Sequence, residues 1–263
     1  MHTDYYIGIM SGTSCDGIDT ALTRIKNKKI QLINTHYTPF TAELKQDILD
    51  LCSPGHNAIE RLGHCDNQLG HLYAKAVLHI LNKQKLSPKH IRAVGCHGQT
   101  IRHQPNHTCP YSIQIGDPNH IAATTGIDTV ADFRRRDIVL GGQGAPLMPA
   151  FHAALIPPAQ RPAWIINIGG MSNITRLTNA VKTRVSGYDI GPGNILLDTH
   201  FQRHHPNQSF DKNGSWASRG KVQPVLLQQM LNDNYFARPA PKSTGREYFN
   251  AQWLDQQIKL FNH

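Results

Sequence analysis

Long apolar runs are missing from this sequence. No stretch approaches the ~18–20 consecutive apolar residues needed to span a bilayer. The start, Met1-His2-Thr3-Asp4, leads directly into an apolar strand pattern without a signal peptide. A secreted or membrane protein is therefore not expected, and the cytoplasm is. Cysteine is scarce too: Cys15, Cys52, Cys65, Cys96 and Cys109 are scattered, odd in number and form no Cys-x-x-Cys. That argues against a disulfide framework or a cysteine-rich zinc site and fits a reducing compartment. Cys96, His97, His103, His107 and Cys109 match no standard zinc spacing, and among 16 histidines chance produces such clusters. Internal repeats and low-complexity tracts are also absent.

What is present is a globular composition. Hydrophobic residues make up 39% and charged residues 17% of 263, enough for a sizeable core and unlike a disordered chain. The charge is one-sided, 27 basic against 18 acidic residues, a net +9. Such a surface suits anionic partners: nucleic acid, a membrane surface, or phosphorylated or carboxylated small molecules. The sequence has no basic stripe interleaved with aromatics and no recognised nucleic-acid motif, so nucleic acid is not the expected partner.

Apolar periodicity outlines the organisation. Tyr5 to Met10, Ile18 to Ile25 and Ile30 to Tyr37 read as three strands in a meander, the last two separated by Asn27-Lys28-Lys29. Helices are expected after Thr41, with Leu44, Ile48 and Leu51 at helical spacing, and over residues 57–84, with Leu62, Leu69, Leu72, Ala76 and Ile80 as a stripe. Ser87-Pro88 reads as an N-cap and first turn. Ile91 to Cys96 is expected to be a short strand ending at His97-Gly98-Gln99-Thr100. Ser112 to Ile115 and Ile127 to Ala131 are further strands with a helix between them. Residues 132–149 read as a charged, glycine-rich functional loop or crossing, followed by a helix from Leu147 to Leu155. A second strand block follows: Trp164 to Ile168, a Gly169-Gly170 turn, Ser172 to Leu177, and Gly187 to Ile190 before a helix from Asn194. The tail from Val222 to Phe261 is mostly helical, with a polar loop at Pro239 to Arg246. Two similar mixed sheets with helices imply two α/β lobes around a cleft.

Four segments carry chemistry. Ser11-Gly12-Thr13-Ser14-Cys15-Asp16-Gly17-Ile18-Asp19 pairs glycines, which let backbone amides approach a phosphate, with hydroxyl donors. Asp16 or Asp19 could hold magnesium. The alternative is an ordinary hairpin turn; no Gly-Lys-Ser/Thr follows, so this is not a P-loop. Gly187-Tyr188-Asp189-Ile190-Gly191-Pro192-Gly193-Asn194 puts an acid before a glycine turn and a helix, where Asp189 could be a general base, a metal ligand or a cap for backbone amides. Asp132 to Asp137 encloses three arginines that suit an anion or form a solvated salt-bridged surface. His97-Gly98-Gln99-Thr100 is a polar cluster beside a buried strand.

Taken in order, these segments resemble the anhydro-N-acetylmuramic acid kinases: Ile9 to Gly17, His97 to Thr100, Ala131 to Arg134, Gly141 to Leu147, Asn167 to Gly170, Asp189 to Asn194, and Pro241-Lys242-Ser243-Thr244-Gly245-Arg246-Glu247. The resemblance implies an α/β protein of the actin-like, sugar-kinase fold, with two ribonuclease H-like lobes around a cleft. Residues 1–137 would form the N-terminal lobe with the phosphate loop, and 138–263 the second lobe. It implies an ATP-dependent enzyme that opens 1,6-anhydro-N-acetylmuramic acid with water and phosphorylates O6, in peptidoglycan recycling. ATP and Mg2+ would be its cofactors, and a homodimer its assembly.

By the same resemblance Asp189 is the general base and Arg136 a substrate-side arginine. Gly12, Thr13, Ser14, Cys15, Asp16, Gly17, Ile18 and Asp19 would bind ATP, with Asp16 and Asp19 near the metal. His97, Gln99, Thr100, Arg136 and Asn194 would bind the sugar. Family members continue well past Leu260-Phe261-Asn262-His263, so the second lobe is expected to be incomplete. The alternative reading is accordingly a non-catalytic, sugar-binding remnant of such a kinase.

Overall fold

A computed structural model describes residues 4–27, 29–179 and 185–261. The chain divides into two compact units, Met1–Gly144 and Ala145–His263. The first is built on strands β1 (Tyr5–Ser11), β2 (Gly17–Lys26) and β3 (Lys29–Pro39), helices α1 (Ala42–Leu51) and α2 (Ala58–Lys83), strands β4 (Ile91–Gln104) and β5 (Tyr111–Ile115), helix α3 (Pro118–Thr125), strand β6 (Thr129–Val130) and helix α4 (Phe133–Val139). The three-strand meander is as expected, although Lys28, in the expected break, lies outside the described residues. The sheet order is β3-β2-β1-β4-β5, with β6 also pairing β4. β1 runs antiparallel to β2 and parallel to β4, and β4 runs parallel to β6. An antiparallel meander whose first strand then gains parallel neighbours is the ribonuclease H-like arrangement.

The core of this unit follows from alternation. Ile7 and Ile9 of β1 and Ile18 and Leu22 of β2 turn inward against Leu69, Tyr73, Val77 and Ile80 of α2. Thr41 caps α1 by accepting the Leu44 amide at 3.2 Å, and Leu44, Ile48 and Leu51 are buried as their spacing predicts. The α2 stripe is wider than the sequence suggests. Tyr73 and Val77 lie at its centre, while Leu62 and Leu72 pack only partly buried at its margin.

Several expectations need correction. β4 does not end at Cys96; it continues to Gln104, so His97-Gly98-Gln99-Thr100 lies inside the strand. Gly98 takes a positive φ of 73°, and the register with β1 shifts between Ile9 and Ser11, so the strand bends without stopping. Ser87-Pro88 caps a single 3-10 turn, Pro88–His90, not an α-helix. The expected strand from Ile127 to Ala131 pairs only through Thr129 and Val130. Residues 132–149 are not all loop, because the arginine run forms α4.

The second unit contains helix α5 (Met148–Leu155), strands β7 (Ala163–Ile168), β8 (Met171–Leu177) and β9 (Val185–Pro192), and helices α6 (Asn194–His204), α7 (Pro224–Leu231), α8 (Asn234–Ala237) and α9 (Ala251–Phe261). Its sheet has the order β7-β8-β9 and is wholly antiparallel, not mixed as expected. Its buried cluster is aromatic: Tyr235, Phe249 and Trp253 with Leu254. Asp233 ties this cluster together by accepting the Tyr235 amide at 2.8 Å, the Tyr248 hydroxyl at 2.7 Å and the Trp253 indole N–H at 2.8 Å. No helix among the described residues is long and apolar enough to cross a membrane.

Candidate functional site

The β1–β2 connection is closed into a turn by its own backbone. The Cys15 amide donates to the Gly12 carbonyl at 3.1 Å, and Cys15 adopts a positive φ of 51°. Its thiol points into the core, as does the Ile18 side chain, so only the backbones of these two residues face the loop. Thr13 and Ser14 are exposed, and the Ser14 hydroxyl donates to Asp16 Oδ1 at 2.7 Å. Gly17 is required here, because a Cβ would come 2.5 Å from the Thr38 carbonyl oxygen and 2.7 Å from the Tyr37 ring. The Tyr37 hydroxyl donates to the Asp16 carbonyl at 2.9 Å and ties the loop to β3. Burial, helped by the neighbouring Asp16 charge, raises the Asp19 carboxyl above its ordinary value. Asp16 lies close enough for its charge to act on Asp19, and a pair of neighbouring carboxylates suits a cation. Among the described residues, no group of three or more histidine, cysteine or acidic side chains is gathered for a metal.

Behind the loop, the expected sugar-side residues have distinct surroundings. Gln99 is fully buried, and its amide N–H groups reach the Gly12 carbonyl at 3.2 Å, the Cys15 sulfur at 3.5 Å and the Thr100 carbonyl at 3.2 Å. It therefore braces the loop from beneath. His97 uses both ring nitrogens: Nδ1 lies 2.7 Å from the Gly98 carbonyl, and Nε2 accepts the Arg134 Nε–H at 3.0 Å. Burial first, then the Arg134 charge, pushes its pKa down to about 4, so the ring is neutral at pH 7. The Thr100 hydroxyl accepts from the Gln114 amide at 3.1 Å.

The three arginines of α4 have three different fates. Arg134 turns inward to His97 and to the Gly144 carbonyl at 2.6 Å. Arg135 pairs with Asp132 at 2.7 Å on the exposed side. Arg136 is exposed. Asp137 Oδ2 accepts the Gly144 amide at 2.7 Å and folds the Gly141–Gly144 turn back onto the helix.

In the second unit Asp189 lies within β9, before its glycine turn, and is 5% exposed. Its carboxylate Oδ2 accepts the Thr244 amide at 3.1 Å. The amide-capping role read from the sequence is thus real, but the amides belong to a segment 55 residues away and not to α6. The start of α6 is satisfied differently: the Gly193, Asn194 and Ile195 amides donate to the Gly169 and Gly170 carbonyls at 2.8–3.3 Å. Asn194 itself is exposed. Sequence reasoning missed Gln99 as a brace, Tyr37 and Thr244. Gln99, within the His97 to Thr100 cluster, and Thr244, within the matched Pro241 to Glu247 run, carried a signal; Tyr37 carried none.

Comparison with known proteins shows the family. The family model described as anhydro-N-acetylmuramic acid kinase matches residues 4–263. Proteins named anhydro-N-acetylmuramic acid kinase are similar along almost the whole chain. The one from Pasteurella multocida is 49% identical over 98% of this chain and 67% of its own length. That from Vibrio cholerae is 49% identical over 98% and 69%, and that from Shewanella oneidensis 50% identical over 100% and 70%. Among solved structures, an ethanolamine utilization protein from Carboxydothermus hydrogenoformans aligns over 99% of this chain and 83% of its own, at 12% identity and a TM-score of 0.39. Matched by the family model over residues 4–263 and about half identical to these relatives along almost its whole length, the chain belongs to the anhydro-N-acetylmuramic acid kinase family.

Proposed function

We propose that this chain is an ATP-dependent kinase that opens 1,6-anhydro-N-acetylmuramic acid with water and phosphorylates O6. The products are N-acetylmuramic acid 6-phosphate and ADP. The observation that carries this reading is Asp189, a buried carboxylate anchored by a backbone amide on the strand where the family places its base. Asp189 takes the proton of the water that attacks the anomeric carbon. The bond from that carbon to O6 breaks, and O6, gaining charge, attacks the γ-phosphorus of ATP. A positioned base contributes ~10²–10⁴-fold, and in-line placement much of the remainder.

In this reading the β1–β2 loop binds ATP through Gly12, Thr13, Ser14, Asp16, Gly17 and Asp19, with the backbones of Cys15 and Ile18. The exposure of Thr13 and Ser14 supports the assignment. Asp16 and Asp19 are the residues that would hold magnesium, which when bound neutralises phosphate charge. Exposed Arg136 binds the lactyl carboxylate of the sugar, with Thr100 and Asn194 as further contacts. His97, through both ring nitrogens, and Gln99, through its amide nitrogen, support the loop from within the unit. A homodimer in the cytoplasm, as the family resemblance implies, completes the proposal.

ADP release is measured with magnesium-ATP, with and without the anhydro sugar, beside Asp189→Asn. Sugar-dependent release that vanishes in the variant is the expected result. Absence of any sugar-dependent release refutes the proposal.

A further inference from the structure

The Pro241 to Glu247 run matches the family but does no chemistry in the mechanism above. Its contacts converge on one residue. The Asp189 amide donates to the Lys242 carbonyl at 3.0 Å. The Tyr235 hydroxyl donates to the Asp189 carbonyl at 2.7 Å, and the Tyr235 side chain is wholly buried. The Thr244 amide donates to the Asp189 carboxylate at 3.1 Å. Both backbone polar groups of Asp189 and one carboxylate oxygen are thus held from residues 235–244.

These holding groups are themselves fastened together. The Lys242 ammonium donates to the Tyr235 carbonyl at 2.9 Å and the Phe236 carbonyl at 3.2 Å, at the end of α8. It also lies 4.7 Å from the centroid of the Tyr235 ring, a cation–π distance. Phe236 packs on Gly191, two residues beyond Asp189, where a Cβ would come 2.8 Å from its ring. One cation therefore clamps the short helix that supplies the Tyr235 hydroxyl to the irregular segment that supplies the Lys242 carbonyl and the Thr244 amide. This lysine bonds two main-chain carbonyls and an aromatic face at once.

We propose that Lys242 is a positioning residue for the base: through Tyr235 it fixes the main chain of Asp189, and with it the carboxylate that the Thr244 amide orients toward the attacking water. The inference rests on the reading of Asp189 as that base. Positional error near a reacting centre costs disproportionately, roughly a hundredfold in rate for about 1 Å. Lys242 touches no substrate in this scheme, so its loss acts on turnover and leaves nucleotide binding alone.

The test compares Lys242→Met, Lys242→Arg, Tyr235→Phe and Asp189→Asn with the unaltered chain, measuring kcat, KM for ATP, KM for the anhydro sugar and the thermal midpoint. The expected result is a roughly ten- to hundredfold loss in kcat for Lys242→Met. Both KM values should stay within about twofold, and Lys242→Arg should recover part of the loss because it keeps the cation. Tyr235→Phe keeps the ring and removes one hydroxyl. It should lower kcat in the same direction, and it decides the matter if Lys242→Met does not fold. Unchanged kcat in Tyr235→Phe and Lys242→Met, with Asp189→Asn inactive, overturns the inference. A kcat loss that follows thermal stability across the variants, without rescue by arginine, overturns it as well. Full turnover in Asp189→Asn overturns instead the reading on which it rests.

Discussion

Replacing Asp233 with alanine should loosen the second unit more than its half-buried position suggests. Its carboxylate takes three donors at 2.7–2.8 Å: the Tyr235 amide at the start of α8, the Tyr248 hydroxyl and the Trp253 indole. A hydrogen bond to a charged group contributes about 1.5–3 kcal/mol, and an N-cap about 1 kcal/mol. Partial exposure and non-additivity reduce the sum, so the expected loss is about 3 kcal/mol. For a unit of this size that corresponds to a drop of about 10 °C in melting temperature. Asp233→Asn keeps one acceptor oxygen and should lose about half as much.

Burial raises the Asp233 pKa, but the Trp253, Tyr235 and Tyr248 hydrogen bonds and the Arg238 charge outweigh it and hold the carboxyl below its ordinary value. A depressed carboxyl stabilises fully above its unfolded pKa, near 3.9, and the contribution disappears as pH falls through the folded value. The unaltered chain and Asp233→Ala should therefore differ at pH 7 and converge as pH falls through the depressed folded value. The assay is thermal unfolding followed by tryptophan fluorescence, in which Trp253 reports directly. A shift of less than about 3 °C at pH 7, or a gap that persists in acid, refutes the argument.

Gly17→Ala places a methyl group against the Thr38 carbonyl and the Tyr37 ring, neither of which can move freely. It should cost about 1–3 kcal/mol and weaken ATP binding by calorimetry; unchanged affinity and melting temperature would count against the loop geometry. Burial, with Arg134, lowers the pKa of both His97 and His103 to about 4, so the unfolded chain binds more protons between about pH 4 and 6.5. Stability from these two residues is complete above pH 6.5 and is lost as pH falls toward 4. Urea midpoints should fall between pH 7 and 5, and fall less in His103→Asn; equal falls refute the assignment.

The parts of the fold that depend on neighbouring residues were legible in the sequence. Alternation located β1, β2 and β3, and Thr41 with Leu44, Ile48 and Leu51 located α1 and its cap. What the sequence concealed depends on contacts across the fold. β4 continues beyond Cys96 because Gly98 adopts a positive φ and β5 supplies hydrogen-bond partners, and neither is visible in a local pattern. Glycine and charge made residues 132–149 look like loop, yet Arg134 and Asp137 find internal partners that stabilise α4 and the turn after it. Asp189 and the β1–β2 loop stood out by composition. The residues that hold them lie 21 to 87 positions away, where no spacing rule reaches: Tyr37, Gln99, Tyr235 and Thr244.

Ser11, the last residue of β1, shares a 2.7 Å hydrogen bond with the hydroxyl of Tyr73, which is buried in α2 62 positions away. Tyr73 in turn packs against Gly116, where a Cβ would overlap its ring. Interior packing and the loop proposed to bind nucleotide are therefore joined through the same hydrogen bond in this unit. Selection for altered ATP affinity should return substitutions at Tyr73 or Gly116 as readily as in the loop itself. Stabilising changes chosen for the interior alone should be screened for nucleotide binding before they are combined.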